Sequence, residues 1–565
     1  MRLITSPFEE LYNSKNKKIL LGNWSCLHDD KEKHEIIEYH WFNRKKFKKD
    51  FDYLNKIILK LNEDLAVSLN HLHNVNFSKK FWFLIINPWL SMFVSAMFDR
   101  WESINKALKI NKISEIAFLD IKKNLAPDSF NHYLKFYNSH NWNHNVFKDI
   151  IKYLKIKHPN IVLVENKKNY KDYKHQISKK NIFKIIIDKL FSKIDNNSVV
   201  LIDHYFNFID LLQLSLNLGQ PPRMYHEFYQ RIIIPQTNQN LRNKIKINLD
   251  DNKFEEFLSN YIIQNIPTSY VEGFNKILEA TKKISIKTDL IITGNSNFPT
   301  EVCKFWCALQ SEKKIKIILT EHGGSIPTKY RYYDIHNKIF EKQISWSKPT
   351  SEIETRLSPS KLIRFKNLKT SKKKISIVTL ETSQYAYYCQ NLQSSLIVKD
   401  YEQKVKMMED LKKKNIEFSI KTYQNKGWNL EKKYKDKFGD KIICHKDMKS
   451  VLNESKLIIC TYPETTFIES MISNVPTILV FLNDVWTFNE KFDDLVRNLK
   501  ENNIIFSNVK DASNHVEEIN KDPYKWWNSE VIKNSRNYFL KECGDVSQNW
   551  LNEWKQFILE NKRTK

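Results

Sequence analysis

In Leu457-Ile458-Ile459-Cys460-Thr461-Tyr462-Pro463-Glu464-Thr465-Thr466-Phe467-Ile468-Glu469, an apolar run passes into a polar turn, and a Thr pair then opens a second apolar run. A short apolar run bounded by turn residues reads as a buried strand, and hydroxyl residues ahead of a periodic run mark a helix start. Asn474-Val475-Pro476 ends that helix, and Thr477 to Phe481 is apolar again. Strand, turn, helix and strand in quick succession make one step of a parallel sheet covered by helices.

The alternation extends on both sides of this step. Lys374 to Leu380 and Glu417 to Thr422 read as strands with a helix over Lys399 to Lys414 between them, and Ile442-Ile443-Cys444 precedes a short helix. Further back, Lys18 to Leu21, Ser114 to Asp120, Asn160 to Val164, Val199 to Ile202, Asp289 to Ile292 and Lys316 to Leu319 read as strands. Phe47, Phe51, Leu54, Ile58, Leu61 and Leu65 fall three and four apart, which predicts one long amphipathic helix over Arg44 to Leu72. A helical zone is expected over Phe254 to Ala280. Thr350 to Lys374 is Ser-, Pro-, Lys- and Arg-rich and reads as a linker. Trp550, Leu551, Trp554, Phe557 and Ile558 share one face of a C-terminal docking helix.

These signals predict an α/β protein of two doubly wound, Rossmann-like domains facing a cleft, with helical additions in the N-terminal half. The expected units are an acceptor-side α/β domain over residues 1–365, a nucleotide-donor-binding domain over 366–545, and a docking helix and tail over 546–565. Ligands of open α/β sheets bind at the carboxyl ends of the strands, so the cleft is the expected site. Two such domains around a cleft resemble the GT-B-like glycosyltransferase architecture, an analogy at the level of fold.

Composition narrows the class. A chain of 565 residues with 41% hydrophobic and 13% aromatic residues folds around real cores, and only 9 Gly and 15 Pro exclude collagen-like organisation. The net charge of +26 is what a polyanion binder would carry, but the excess Lys is spread along the chain instead of forming one basic face. Specific nucleic-acid binding is therefore not expected. Seven cysteines, at 26, 303, 307, 389, 444, 460 and 543, show no CxxC or metal-ligand spacing, which suits a reducing, cytoplasmic setting. The first ten residues contain acids and a Pro where a secretory signal needs an apolar stretch. Phe81 to Phe98 is uncharged and just long enough to span a membrane. Asn87-Pro88 interrupts it, so a strand or turn followed by a core helix is expected, with peripheral contact at the inner membrane as the alternative.

Two segments carry candidate chemistry. Thr465 and Thr466 begin a helix whose free N–H groups suit a phosphate, and Glu469, one turn on, can accept from a ribose. The plainer alternative is an ordinary cap with Glu469 exposed. The second segment, Ile318-Leu319-Thr320-Glu321-His322-Gly323-Gly324, delivers a carboxylate and an imidazole to a strand end, where either can act as the general base on an acceptor hydroxyl. Gly323 and Gly324 permit close approach of a ligand to backbone. Asp203 and His204 follow an apolar run, and Asp203 can join the base; Lys421, at a strand end, can meet a phosphate. No Asp-x-Asp stands at a strand end, so metal-independent chemistry with no cofactor beyond the donor is expected. P-loop, GxGxxG, HExxH and Ser-His-Asp patterns are missing from the chain.

Several motifs fall in a known order: Tyr39-His40-Trp41 with Arg44, Asp50 to Leu54, Asn87-Pro88-Trp89-Leu90, Asp99-Arg100-Trp101, Glu321-His322-Gly323-Gly324, Ser345-Trp346-Ser347, Thr461 to Thr466 and Val475-Pro476-Thr477-Ile478. Together they resemble a family of bacterial transferases first defined in Leptospira, whose genes lie among those for surface carbohydrates. The resemblance spans nearly the whole chain and implies a two-domain glycosyltransferase. On that basis the expected partners are a nucleotide-sugar donor, a nonulosonic acid being one candidate sugar, and a glycan or lipid-linked acceptor such as O-antigen or capsule. A nucleotide-sugar epimerase, a glycerophosphate-type transferase and a polyanion-binding protein are the alternatives. Three departures stand out: Glu321 replaces a Gln, Pro463-Glu464 replaces Asn-Ser, and Ser325-Ile326-Pro327 replaces a Gly-rich continuation. Glu464 adds negative charge beside the proposed phosphate site.

Overall fold

The computed structural model describes the chain except residues 28–33, 122–125, 167–198, 296–297, 325–326, 332–337, 367–373, 424, 482–483 and 563–565. Ser325 and Ile326, noted above as a departure, lie outside the described residues. Three five-stranded sheets organise the protein, and every strand pairing in them is parallel.

The first sheet holds β1 (Arg2–Ile4), β2 (Lys18–Leu20), β3 (Glu35–Ile36), β4 (Glu115–Leu119) and β5 (Asn160–Val164), in the order β3-β2-β1-β4-β5. The second runs β6 (Val199–Ile202), β7 (Leu290–Thr293), β8 (Lys316–Thr320), β9 (Lys342–Ser345) and β10 (Glu354–Arg356), laid side by side in chain order. The third holds β11 (Lys374–Thr379), β12 (Phe418–Thr422), β13 (Ser455–Cys460), β14 (Thr477–Val480) and β15 (Ile505–Phe506), in the order β12-β11-β13-β14-β15. The α/β expectation holds, and residues 1–365, expected to form one unit, carry two sheets. Strands of two or three residues such as β1, β3 and β10 are too short to show a period of their own.

Eight helices matter for the site: α1 (Arg44–His73), α2 (Lys79–Leu108), α3 (His140–Leu154), α4 (Phe208–Asn217), α5 (Glu301–Glu312), α6 (Leu396–Lys413), α7 (Thr465–Ile472) and α8 (Trp550–Asn561). The α1 stripe behaves as its spacing predicts: Phe47, Leu54, Ile58, Leu61 and Leu65 are buried, and the Asn43 side chain caps the helix by accepting from the Lys46 amide. The expectation for Phe81 to Phe98 needs correction. Pro88 does not divide the segment; α2 runs unbroken through it, and its most apolar stretch is entirely buried. Pro88 has no N–H to give to the preceding turn, but packing on all sides outweighs that loss. Asn62 Nδ2 bonds Asn87 Oδ1 at 2.9 Å, and Ser91 Oγ bonds the Asn87 carbonyl at 2.8 Å, so the residue before the proline is held through both its side chain and its carbonyl. Because this run is interior, it offers no face to a membrane, and peripheral contact through this segment is withdrawn.

The linker expectation is also revised. Glu354–Arg356 pairs in parallel with β9, Leu362 is fully buried, and the rest of that stretch, residues 367–373, lies outside the described residues. The C-terminal helix α8 crosses back from the third unit to the second, where Trp554, Phe557 and Ile558 pack with Leu201, Ile292, Ile318 and Ile344. Trp554 Nε1 donates to the Ser358 carbonyl at 2.9 Å and pins it there.

Candidate active site

The carboxyl ends of the second and third sheets face each other across a cleft of about 580 Å³, a size that suits a small-molecule ligand. In the third sheet β11 lies between β12 and β13, so the order in which strands are added reverses there. That switch point is where open α/β sheets bind ligands. The cleft is lined at that point by Glu381, Thr382 and Ser383 after β11 and by Tyr462, Glu464, Thr465 and Thr466 after β13. From the opposite wall, the end of β8 contributes Thr320, Glu321, His322 and Gly323.

The two motifs singled out in the sequence meet directly. The Gly324 amide donates to Thr465 Oγ1 at 3.2 Å. A methyl group at Gly324 would lie 2.0 Å from Ile468 Cδ1, so the glycine lets the loop after β8 close onto α7. Gly324 therefore serves packing and does not line the cleft, whereas Gly323 does. Thr466 Oγ1 lies 2.7 Å from the Tyr462 hydroxyl, at the first turn of α7.

Glu469 is buried and pairs with Lys361 Nζ at 2.7 Å, so it is not the exposed residue of the plainer alternative. Burial pushes the Glu469 carboxyl up, and the Lys361 ammonium opposes that shift. Glu321 Oε2 accepts the Trp346 amide at 2.8 Å, which ties the carboxylate to the loop after β9. His322 reaches into the cleft with its ring stacked on Tyr205, centroids 5.6 Å apart. Desolvation by the cleft walls and the nearby Lys361 charge hold its imidazole below the ordinary histidine range, partly offset by a hydrogen bond to the Gly294 backbone. His322 is thus neutral near pH 7 and able to accept a proton.

Asp203 stands behind this wall and does not line the cleft. It has a left-handed backbone, φ 47°, and a methyl group at Gly294 would come within 1.9 Å of its carbonyl oxygen. Its contribution is a tight backbone contact that Gly294 alone allows. Burial raises the Asp203 carboxyl, while His204 is pushed down to about 4 and accepts the Phe206 amide at Nδ1, 3.1 Å away. Lys421 lies on β12 with its ammonium 5.8 Å from the Tyr423 ring centre and is not among the cleft residues. Among the described residues, the cleft cations are Lys361, Arg331 and Lys426.

Two groups here, Lys361 and Glu381, were not singled out from the sequence, and a third, Glu464, was noted there only for its charge. Lys361 lay hidden in a Ser-, Pro- and Lys-rich stretch. Glu381 accepts the amides of Lys426, Trp428 and Leu430 at 2.7, 2.9 and 3.2 Å, fixing the loop after β12; the polar run Glu381-Thr382-Ser383 after an apolar strand is the same signature as at β13. Glu464 sits at the N-cap of α7 without a side-chain bond to it, and burial pushes its carboxyl up to about 7. Among the described residues no group of three or more His, Cys, Asp and Glu is gathered to hold a metal ion.

Parallel sheets opposed across a cleft, with a helix N-terminus on one wall and a histidine on the other, define the class as a two-sided α/β transfer site. The chain belongs to the LIC12162 family of transferases, whose model matches residues 1–558, and it is a transferase. A search of curated proteins found no match. Among solved structures, the S. aureus MnaA–UDP complex is 12% identical over 65% of this chain and 98% of that one, with a TM-score of 0.36. Acinetobacter baumannii MurG is 13% identical over 64% and 99%, with a TM-score of 0.33. A mutant of S. aureus TarM in complex with fondaparinux, alpha-GlcNAc-glycerol and UDP is 14% identical over 82% and 96%, with a TM-score of 0.34.

Proposed function

We propose that the protein transfers a sugar, a nonulosonic acid being one candidate, from a nucleotide-activated donor to a growing surface glycan or its lipid-linked precursor. The observation that carries this reading is the junction of Gly324 and Thr465, which sets the N-terminus of α7 beside His322 in one cleft. On the donor side, the free N–H groups of α7 and the Lys361 ammonium meet phosphate charge, with Glu469 held by Lys361 toward a ribose. On the acceptor side, neutral His322 faces the same space from the end of β8. Lys361 takes the place first given to Lys421.

Phosphate charge is met in this reading by the helix end and side chains, not by a divalent ion, so turnover should survive a chelator. Purified protein titrated with CMP-, CDP-, UDP-, GDP- and dTDP-sugars should melt at a higher temperature with at least one of them. A panel with no shift would overturn the reading, and activity lost in EDTA but restored by manganese would overturn its metal-free part.

A further inference from the structure

We propose that Glu464 is the acid–base group of the transfer, taking the proton from the acceptor hydroxyl as that oxygen bonds to the reacting carbon of the donor. The inference rests on the transferase reading above and goes beyond it by naming the group that carries the proton.

Among the described residues, four carboxyl groups line the cleft, and three are already committed. Glu321 holds the Trp346 amide, Glu381 holds three amides of the loop after β12, and Glu469 holds Lys361. The Glu464 side chain forms neither a cap bond to α7 nor a hydrogen bond or ion pair with any other described residue. Its place is the seam between the two walls, one residue before the Thr465 hydroxyl that receives the Gly324 amide. An unpaired carboxyl at this seam is the group best placed to exchange a proton with a ligand spanning both walls.

The surroundings explain how one residue can tolerate the donor and still act as a base. The charged and titratable groups around the same cleft are Glu321, His322, Lys361, Glu469, Glu381, Lys426 and Arg331, together with the phenols of Tyr205, Tyr330, Tyr387, Tyr423 and Tyr462. The Lys361 ammonium is engaged by Glu469, so burial governs Glu464 and raises its carboxyl to about 7. Near neutral pH it exists in both forms. The neutral form does not repel an arriving phosphate, and the ionised form accepts a proton.

The step balances. The acceptor O–H proton passes to a Glu464 carboxylate oxygen, and the acceptor oxygen forms a bond to the donor's reacting carbon. The bond from that carbon to the donor phosphate oxygen breaks, and its electron pair leaves on the phosphate. Glu464 then returns its proton to solvent.

The test uses the full chain and a donor chosen by the thermal-shift panel. Turnover followed from about pH 5.5 to about pH 9 should show a rising limb near pH 7. Glu464→Gln removes no existing side-chain bond and should leave donor binding and melting temperature unchanged, while lowering turnover by about 100-fold or more and abolishing the limb. Glu464→Asp should recover part of the rate. An infrared difference between the native protein and the Gln variant should show one carboxyl titrating near neutrality, a readout independent of activity. Native-like turnover in the Gln variant, a persisting limb, or no such carboxyl would overturn the proposal alone; a panel without any binder would overturn it together with the transferase reading.

Discussion

The Gly324 amide donates to Thr465 Oγ1 at 3.2 Å, joining the loop after β8 to the first residue of α7 across 141 positions of sequence. The two walls of the cleft are thereby set by one backbone-to-side-chain bond and by the fit of Gly324 against Ile468. Gly324→Ala should destabilise the protein by about 1–3 kcal/mol, because the added methyl overpacks a closed contact. Urea unfolding measures the change. If the clash with Ile468 is its cause, the double variant Gly324→Ala with Ile468→Val should recover part of the loss, a coupling that independent sites would not show.

Replacing both Thr465 and Thr466 by Val removes the acceptor of the Gly324 bond and the partner of the Tyr462 hydroxyl. The expected result is weaker donor binding, read as a smaller thermal shift. His322→Ala should instead lower turnover by about 10²- to 10⁴-fold with little change in that shift, if His322 assists proton movement. Equal effects of both changes on binding and rate would mean that the roles of the two walls are misassigned.

Arg100 and Asp99, part of the family-like motifs of the N-terminal half, are buried away from the transfer residues yet act on the cleft. Asp99 Oδ1 accepts from the Tyr39 hydroxyl at 2.6 Å and contacts His40 Nε2 at 3.1 Å, and Asp99 Oδ2 pairs with Arg100 Nη1 at 3.0 Å. Arg100 also bonds Asn143 Oδ1 at 2.8 Å and the carbonyl of Ala386, within the loop that lines the donor side. Tyr137 bonds Ser383 at 3.0 Å and Asn138 bonds the Lys426 carbonyl at 2.7 Å, so the first unit braces both donor-side loops. Arg100→Met should cost about 3–5 kcal/mol by leaving a buried carboxylate without its cation. Tyr137→Phe removes one brace and spares that ion pair, so it should weaken donor binding with a small change in melting temperature. Unaltered donor binding in Tyr137→Phe would deny the brace a role in the site.

The helix-strand alternation and the meeting of the His322 and Thr465 segments were legible because each depends on local pattern: an apolar strand, a polar turn, a helix start. What was hidden is non-local. Lys361 pairs with Glu469 although the two lie far apart in sequence, and nothing in Pro359-Ser360-Lys361 distinguishes that lysine from Lys421. Local pattern does not separate the first sheet from the second, because three-residue β1 pairs with β4 more than a hundred positions away. Pro88 misled in the opposite sense, since a strong local rule yielded to burial of nearly the whole of α2. Glu464 was legible only as unwanted charge; the commitments of its neighbours, which leave it the free carboxyl, are a property of the assembled cleft.

Acid sensitivity should trace in part to His144, buried at the carboxyl edge of the first sheet. Its Nε2 accepts the Leu119 amide at 2.9 Å at the end of β4, so Nδ1 carries the hydrogen and faces Ser6 Oγ at 3.2 Å and Thr5 Oγ1 at 3.4 Å. Burial, with Lys148 adding repulsion, pushes this imidazole down to about 3. The unfolded chain, with an ordinary histidine near 6.5, binds the proton first as pH falls. The native state therefore keeps the full contribution of neutral His144 above about pH 6.5 and loses it progressively below that. His140 and His204, pushed down to about 4, act in the same direction, so the informative quantity is a difference between variants. His144→Gln can keep an acceptor for the Leu119 amide without a titrating ring. The native protein should lose urea stability between about pH 7 and about pH 5 more steeply than this variant, which should be the less stable of the two at about pH 7.5. Equal slopes would show that His144 does not titrate on unfolding.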